Sequence, residues 1–463
     1  MKAEKIDVDK SLILFLLAHL IIWTLVPSVS NVNLPLDTIE ALAWSSNLDW
    51  GYGKHPPLSA WSVELFYQIF GNQDWAYYFL SQLFVVTAFF VVFIFSKDFF
   101  SKKIYSFISL LLLEGIFFYN FTTPEFNVNV SQLPFWALTV YYCWEGIKKN
   151  DLVSWFLFGI FAAFGVLSKY LFIYLLISID IFFIYLIIKK KFNLKCLASL
   201  ISFFAILIPH IVWLIDNEYT TITYALHRTS TENVNFIQSH LFYPFIFLIK
   251  QIGILVPFLA MFLFLISKYK FKFKINHKNK KLIFLITINI VPIALMFLTS
   301  FLMGAKIRTM WMTPFYLFLG ILFVYSFDNI ITLKKLKYFF SIFIVLFILS
   351  PIIYLYVSIS QEDKRTDYPG KKISQIVQKK WENNFSNKIG LVAGNEWHGG
   401  NLSYHLKSRP KWDNILEAKK TIPLDKIDGG FVIIADPESL QTICFGIFFE
   451  VEDQGVCMVG KKK

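Results

Sequence analysis

LPLDTIEALAWSSNLDWGYGKHPPLSAW, residues 34–61, lies between the first two strongly apolar segments and is too polar to cross a bilayer. It holds Asp37, Glu40, Asp49, Lys54, His55 and the Pro56-Pro57 pair. Acids and bases this dense beside a membrane span admit two readings. One is a solvated connection with an interfacial helix, the other an active site working on a lipid-borne substrate. Pro35 is placed near a helix start and Asp37 in its first turn, where the helix dipole favours a carboxylate. Asp37 and Glu40, three apart, then share a face. A capping acid and a general base therefore fit Asp37 equally well. The proline pair fixes a rigid turn and so directs Lys54 and His55, either of which can meet a phosphate oxygen. A charged interfacial turn before the amphipathic stretch 58–70 is the plainer alternative.

Outward from this stretch, the composition sets the class. The chain has 463 residues, 56% apolar and 19% aromatic, with 52 Phe and only 16% charged residues. With a mean hydropathy of +0.55 this is a polytopic membrane protein. The first apolar run, 11–29, lacks a small-residue cleavage site and reads as a retained span. About eleven windows are long enough to cross ~30 Å of hydrocarbon. They fall near 11–29, 74–96, 104–119, 131–147, 152–168, 171–188, 196–215, 241–267, 281–302, 309–327 and 337–358. Those ending at 119, 147 and 168 are short and are expected to extend into the neighbouring loops.

Lysines collect in alternate connections: Lys97, Lys102 and Lys103; Lys148 and Lys149; Lys189 to Lys191 with Lys195; the run 268–281; and Lys334, Lys335 and Lys337. The positive-inside rule puts these in the cytoplasm with the N-terminus. The loops 30–73, 120–130, 168–170, 216–240 and 303–308, with everything after about 359, then lie outside. The net charge of +12 thus reports topology, and no nucleic-acid partner is expected. The expected class is an all-α polytopic membrane protein, N-in and C-out, in the plasma (inner) membrane.

Beyond 359 the chain changes character. Residues 388–392 and 430–435 read as strands and 401–406 as a helix. The expected organisation is a transmembrane domain, 1–358, and a soluble extracytoplasmic α/β domain, 359–463. Cys444 and Cys457 can pair in an oxidising compartment or remain thiols. Cys143 and Cys196, in or beside apolar segments, read as packing residues.

The remaining unusual polar groups fall in the outer loops. Glu125, just after Pro124 in TTPEFNVNVSQ (122–132), is a second carboxylate for the same pocket or a helix-start residue. Lys169, in the turn LSKY (167–170), must snorkel or find an anion. Arg228 in the 216–240 loop is a phosphate clamp or a solvated charge. Lys306 and Arg308 are a cationic pair at a span mouth or snorkelling anchors. His398 in NEWHGG reads as a loop or packing residue. HExxH, GxGxxG, Walker and paired-cysteine motifs are absent from the sequence, so neither a metal nor a cofactor is expected.

In order and spacing these pieces resemble the bacterial integral-membrane glycosyltransferases related to protein O-mannosyltransferases and the lipid A aminoarabinose transferase. The carriers are Asp37 with Glu40, HPPLSAW (55–61), TPE (123–125), PFWAL (134–138) and LSKY (167–170). PHIVWLIDNEYTTITYALHR (209–228) and RTMWMTPFYLFLG (308–320) add to them. The resemblance implies a GT-C-type fold with a catalytic first outside loop. Asp37 stands at the family's catalytic acid, and Glu125 stands where Asp is common. His55 stands where many members have Lys before the proline pair, which leaves open whether His55 or Lys54 meets the lipid phosphate. The implied reaction moves a sugar from a polyprenyl (undecaprenyl) phosphate to lipid A or a lipopolysaccharide core, with inversion, at the outer face of the inner membrane. Glu40, Lys54, His55, Lys169, Tyr170, Arg228 and Arg308 would bind the substrates. A protein hydroxyl is the alternative acceptor. A lipid-linked sugar transporter or flippase is the alternative class, but it would carry charges at mid-membrane depth rather than on one rim.

Overall fold

The computed structural model describes residues 7–229, 234–266, 279–414 and 429–463. In hydrocarbon every backbone N–H and C=O needs an internal partner, so apolar runs this long become helices. Among the described residues, six helical runs are long and apolar enough to cross a membrane. They are Val8–Ser30, Asp74–Ser96, Tyr170–Ile188, Leu194–Asp216, Lys280–Met303 and Leu333–Ser360. Two further pairs are long and apolar enough only when taken together, each bent at a break: Gln238–Ile254 with Val256–Leu263 at 42°, and Thr309–Tyr316 with Leu319–Ser326 at 53°. Pro257 opens the second half of the first pair, where it removes a donor and crowds the preceding turn. Leu133–Lys149 and Leu152–Ser168 are shorter, at 17 residues each.

The window 104–119 does not form one span. It is the nine-residue helix Lys103–Leu111 followed by 3₁₀ turns at Leu112–Gly115 and Phe117–Tyr119. Gly115 lies against the backbone of Phe258, where a Cβ would stand 2.6 Å away, so a bulkier residue could not hold this crossing. The basic run 268–278 lies outside the described residues.

Contacts sort the connections onto two ends of the bundle. Lys103 pairs with Asp9 at 2.7 Å and Lys148 with Asp98 at 2.6 Å, while Lys281 donates to the Asp98 carbonyl. Lys195 reaches the Asn150 carbonyl at 3.0 Å and Lys335 the Ile266 carbonyl at 2.6 Å. The start of the first helix and the lysine-bearing loops therefore share one end. At the other end, Val32 and Asn33 donate to the Thr366 carbonyl at 3.1 and 2.9 Å. Tyr404 donates to Asp74 at 2.7 Å, and Arg409 reaches the Leu42 carbonyl at 2.7 Å and Glu64 at 3.3 Å. These bonds dock the segment beyond Ser360 onto the helices Leu36–Ser45 and Leu58–Phe70, which lie between the first two long helices.

That C-terminal segment builds a five-stranded sheet from β1 (Ile389–Ala393), β2 (Lys411–Asp413), β3 (Gly430–Ala435), β4 (Ile447–Val451) and β5 (Gln454–Val459). The order is β2-β1-β3-β5-β4, with β1 parallel to β2 and β3 and the β3–β5 and β5–β4 pairs antiparallel. The near-continuous apolar runs of β1 and β3 suit central strands covered on both faces. Helices Gly370–Asn384, His398–His405 and Pro437–Ile443 pack against it. Both expected strands are present, and the expected 401–406 helix begins earlier, at His398. Cys444 and Cys457 form a disulfide, while Cys143 and Cys196 are buried thiols.

Candidate functional site

Pro35 has no N–H to lose and holds φ −62°, ψ 163°, so the helix Leu36–Ser45 starts directly behind it. The first N–H groups of a helix have no intrahelical partner. Here the Asp37 N–H donates to Glu125 Oε1 at 3.0 Å. The capping carboxylate is thus Glu125, delivered from a distant loop, and Asp37 is left to face a cavity. Glu40 stands one turn further along the same face.

The turn 50–55 is fixed from three sides. The Tyr52 N–H donates to the His55 carbonyl at 3.1 Å, and Thr221 Oγ1 donates to the Tyr52 carbonyl at 2.8 Å. His210 Nδ1 lies 2.6 Å from the Trp50 carbonyl and can only donate to it, which leaves Nε2 as the acceptor for the Tyr170 hydroxyl at 2.8 Å. Gly51 lies against the Trp213 ring, where a Cβ would stand 2.4 Å away. Lys54, so held, pairs with Glu40 at 3.0 Å and with Glu396 of the C-terminal segment at 2.6 Å.

Lys169 ends the Leu152–Ser168 helix and is 7% exposed. Its Nζ donates to Asn129 Oδ1 at 2.6 Å and lies 5.0 Å from the centre of the Trp311 ring. Asn129 is placed by the short helix Val128–Ser131, which Asn127 caps through its side chain.

Asp37, Glu40, Lys54, His55, Lys169, Tyr170, Arg228 and Arg308 all line one cavity of about 390 Å³, the size of a small-molecule site. Leu171, Ile173, Tyr174, Ala225, Met310 and Trp311 give it an apolar wall. Glu125 sits behind Asp37. Lys306 is not in the lining and stands over the Tyr243 ring at 5.5 Å. Arg228 comes from a helix, Thr220–Thr229, where the sequence suggested a loop. Glu218 and Tyr219, with φ of 53° and 55°, turn the chain after Asp216 so that a second helix can start. His398 is the first residue of the helix His398–His405, where the sequence suggested a loop or packing residue; its Nδ1 lies 3.1 Å from Asn395 Nδ2 and its ring is tilted against Tyr368.

Burial dominates the titration of the site. It raises Asp37, and the cations Lys169, Lys54, Arg365 and Arg308 pull it back. Burial and then the neighbouring Asp37 charge push Glu125 up to about 8. Glu125 therefore keeps its proton at neutral pH, and Asp37 is the member of the pair whose charge the neighbouring cations favour. Burial also lowers Lys169 to about 7 against the opposing pull of Asp37. His55 is lowered to about 3 by burial and by Lys169, Lys54 and Arg228, so it faces the cavity as a neutral ring. Burial pulls Lys54 down, but its bonds to Glu396 and Glu40 outweigh that and leave it raised. The expectation that Lys54 or His55 supplies a free cation is thus revised: one is committed to two carboxylates and the other is uncharged. Arg228 and Arg308 show no side-chain ion pair among the described residues.

Asn129, His210, Arg365 and Glu396 were not singled out from the sequence. Asn129 lies inside the quoted TTPEFNVNVSQ and His210 inside the quoted 209–228 stretch, but neither carries a charge to draw notice. Glu396 is 342 positions from Lys54, and no local pattern links them. Among the described residues no group of three or more His, Cys, Asp or Glu is arranged to hold a metal.

Residues 54–213 match the family described as dolichyl-phosphate-mannose-protein mannosyltransferase. No curated protein sequence matches the chain. In structure, the chain is similar to ArnT from Cupriavidus metallidurans bound to undecaprenyl phosphate, with TM-score 0.64 and 12% identity over 96% of this chain and 97% of that one. The apo form of the same protein gives TM-score 0.64 and 12% identity over 97% and 98%. The two chains share a fold from end to end.

Proposed function

We propose that this chain, a membrane glycosyltransferase of GT-C architecture, moves a sugar from a polyprenyl-phosphate donor onto a lipid A or lipopolysaccharide-core hydroxyl, with inversion. The observation that carries the reading is the cavity in which Asp37 shares the lining with Lys169, Arg228 and Arg308 beside an apolar wall. Such a donor is activated by its own phosphate, so no nucleotide site is required. As the glycosidic C–O bond breaks, charge grows on the departing phosphate, and pre-placed cations in a dry site stabilise it most at that moment. Asp37 takes the proton of the attacking hydroxyl as that oxygen bonds the anomeric carbon. Neutral His55 and protonated Glu125 can each donate one hydrogen bond, to sugar or phosphate oxygens and to Asp37 respectively. The prenyl chain would lie along Leu171, Ile173 and Met310.

The site is assigned to the extracytoplasmic face of the inner membrane. Two features support this: the lysine-bearing loops gather at the opposite end, and the Cys444–Cys457 disulfide belongs to the sheet docked at the cavity end. The undecaprenyl phosphate bound to the similar ArnT structure supports the donor class. The matched family description favours a protein hydroxyl as the second reading for the acceptor. Mass spectrometry of lipid A and core oligosaccharide from cells with and without the gene decides between them. A sugar lost with the gene, regained with the parent and not with Asp37→Asn, is expected. An unchanged glycolipid profile with a lost protein glycoform would move the acceptor to protein.

A further inference from the structure

At the end of the bundle away from the catalytic cavity, a second cavity of about 240 Å³ is lined by Tyr185, Leu186, Lys189, Lys191 and Lys280. Lys190, with φ 55°, closes the Tyr170–Ile188 helix in a left-handed turn, and the Lys191 N–H folds back to the Leu186 carbonyl at 2.8 Å. That turn sets Lys189 and Lys191 on the same opening that Lys280, first residue of the Lys280–Met303 helix, reaches from the other side. Among the described residues no carboxylate lines the cavity. Four acidic contacts at this end go to other lysines: Asp98 and Glu145 bind Lys148, Glu145 also binds Lys149, and Asp9 binds Lys103, while Asp180, on the same helix as Tyr185, does not line the cavity. Three ammonium groups converging without a counter-ion repel one another, and an anion relieves that cost. Lys280 is half-buried with its Nζ 5.6 Å from the Trp144 ring, and Lys189 lies 5.9 Å from the Tyr185 ring. The aromatic faces and Leu186 make the cavity amphipathic, as a site at a membrane–water boundary would be.

We propose that this cavity binds the phosphodiester headgroup of an anionic phospholipid, with Lys189, Lys191 and Lys280 on the phosphate oxygens and the acyl chains along the exposed Ile184, Ile187 and Ile188. Basic pockets between membrane helices recognise such headgroups. The free-phosphate alternative shares the cations but makes no use of the apolar border. The test is native mass spectrometry of the full-length protein released from nanodiscs of phosphatidylglycerol or of phosphatidylcholine, repeated with Lys189→Gln/Lys191→Gln/Lys280→Gln. Retention of a phosphatidylglycerol adduct, at least tenfold over phosphatidylcholine, and its loss in the triple variant are expected. Millimolar inorganic phosphate should leave the adduct in place. Equal retention of both lipids by the parent protein, or displacement by inorganic phosphate, would overturn the proposal even if the variant fails to fold. Undiminished retention in a folded variant would overturn it too.

Discussion

Asp37 carries the most chemistry of any residue here, and its environment says why. Its own N–H is capped by Glu125, so its carboxylate is free of a capping duty, and four cations oppose the upward pull of burial on it. Asp37→Asn keeps the size and removes the base. Turnover should fall by about 10²–10⁴-fold, the usual worth of a general base, with donor KM nearly unchanged; steady-state kinetics checks this. Lys169 sits at about 7 in the empty site. Because its protonated form is the one that binds phosphate, kcat/KM should decline as pH rises through about 7. A bound phosphate raises the lysine, so the corresponding limb in kcat should lie at higher pH. Lys169→Met should abolish that limb and cost about 10²–10³-fold in kcat. Glu125 gives a stability test with a definite sign. The folded state keeps a proton that the unfolded chain releases above the ordinary glutamate range, so stability falls as pH rises towards about 8. Glu125→Gln should remove that slope, read as melting temperature against pH. The charged residues of this site were visible in the sequence because charge beside an apolar run is costly and therefore conspicuous. Their states were not visible: that His55 is neutral and Lys54 is paired follows from burial and from a partner hundreds of positions away.

Elements tell a similar story. The helix behind Pro35 and the amphipathic helix at Leu58–Phe70 were legible because proline and apolar periodicity act locally. The Thr220–Thr229 helix was not, since its start depends on two left-handed residues that carry no glycine signal. The breaks within 238–263 and 309–326 were likewise hidden, because hydropathy counts apolar length and not axis direction. The disulfide was an open choice in the sequence, and proximity across the β5 edge settles it. It closes a loop with a separation of 13 residues, so Cys457→Ser should cost about 3 kcal/mol in stability of the C-terminal sheet. Thermal unfolding of the parent with and without reductant, against the variant, measures it; an unchanged midpoint would mean the bridge constrains nothing.

At the scale of the whole molecule, two layers meet at one point. The C-terminal segment reaches the first loop through Glu396, which pairs with Lys54 of the cavity wall. Glu396→Gln should leave Lys54 held by Glu40 alone and better able to compete for the donor phosphate, lowering donor KM and slowing turnover; a donor KM that stays unchanged or rises would contradict that division of roles. The lysine-rich loops and the cavity lie at opposite ends of the bundle, which keeps Lys169, Arg228 and Arg308 apart from those loops. The most direct test of the central claim is the affinity of the full-length protein for undecaprenyl phosphate and for undecaprenol, measured side by side with Lys169→Met and Arg228→Gln. Binding should require the phosphate and weaken at least tenfold in each variant. Equal affinity for the alcohol, or undiminished binding in both variants, would contradict a cavity built to hold an anionic prenyl carrier.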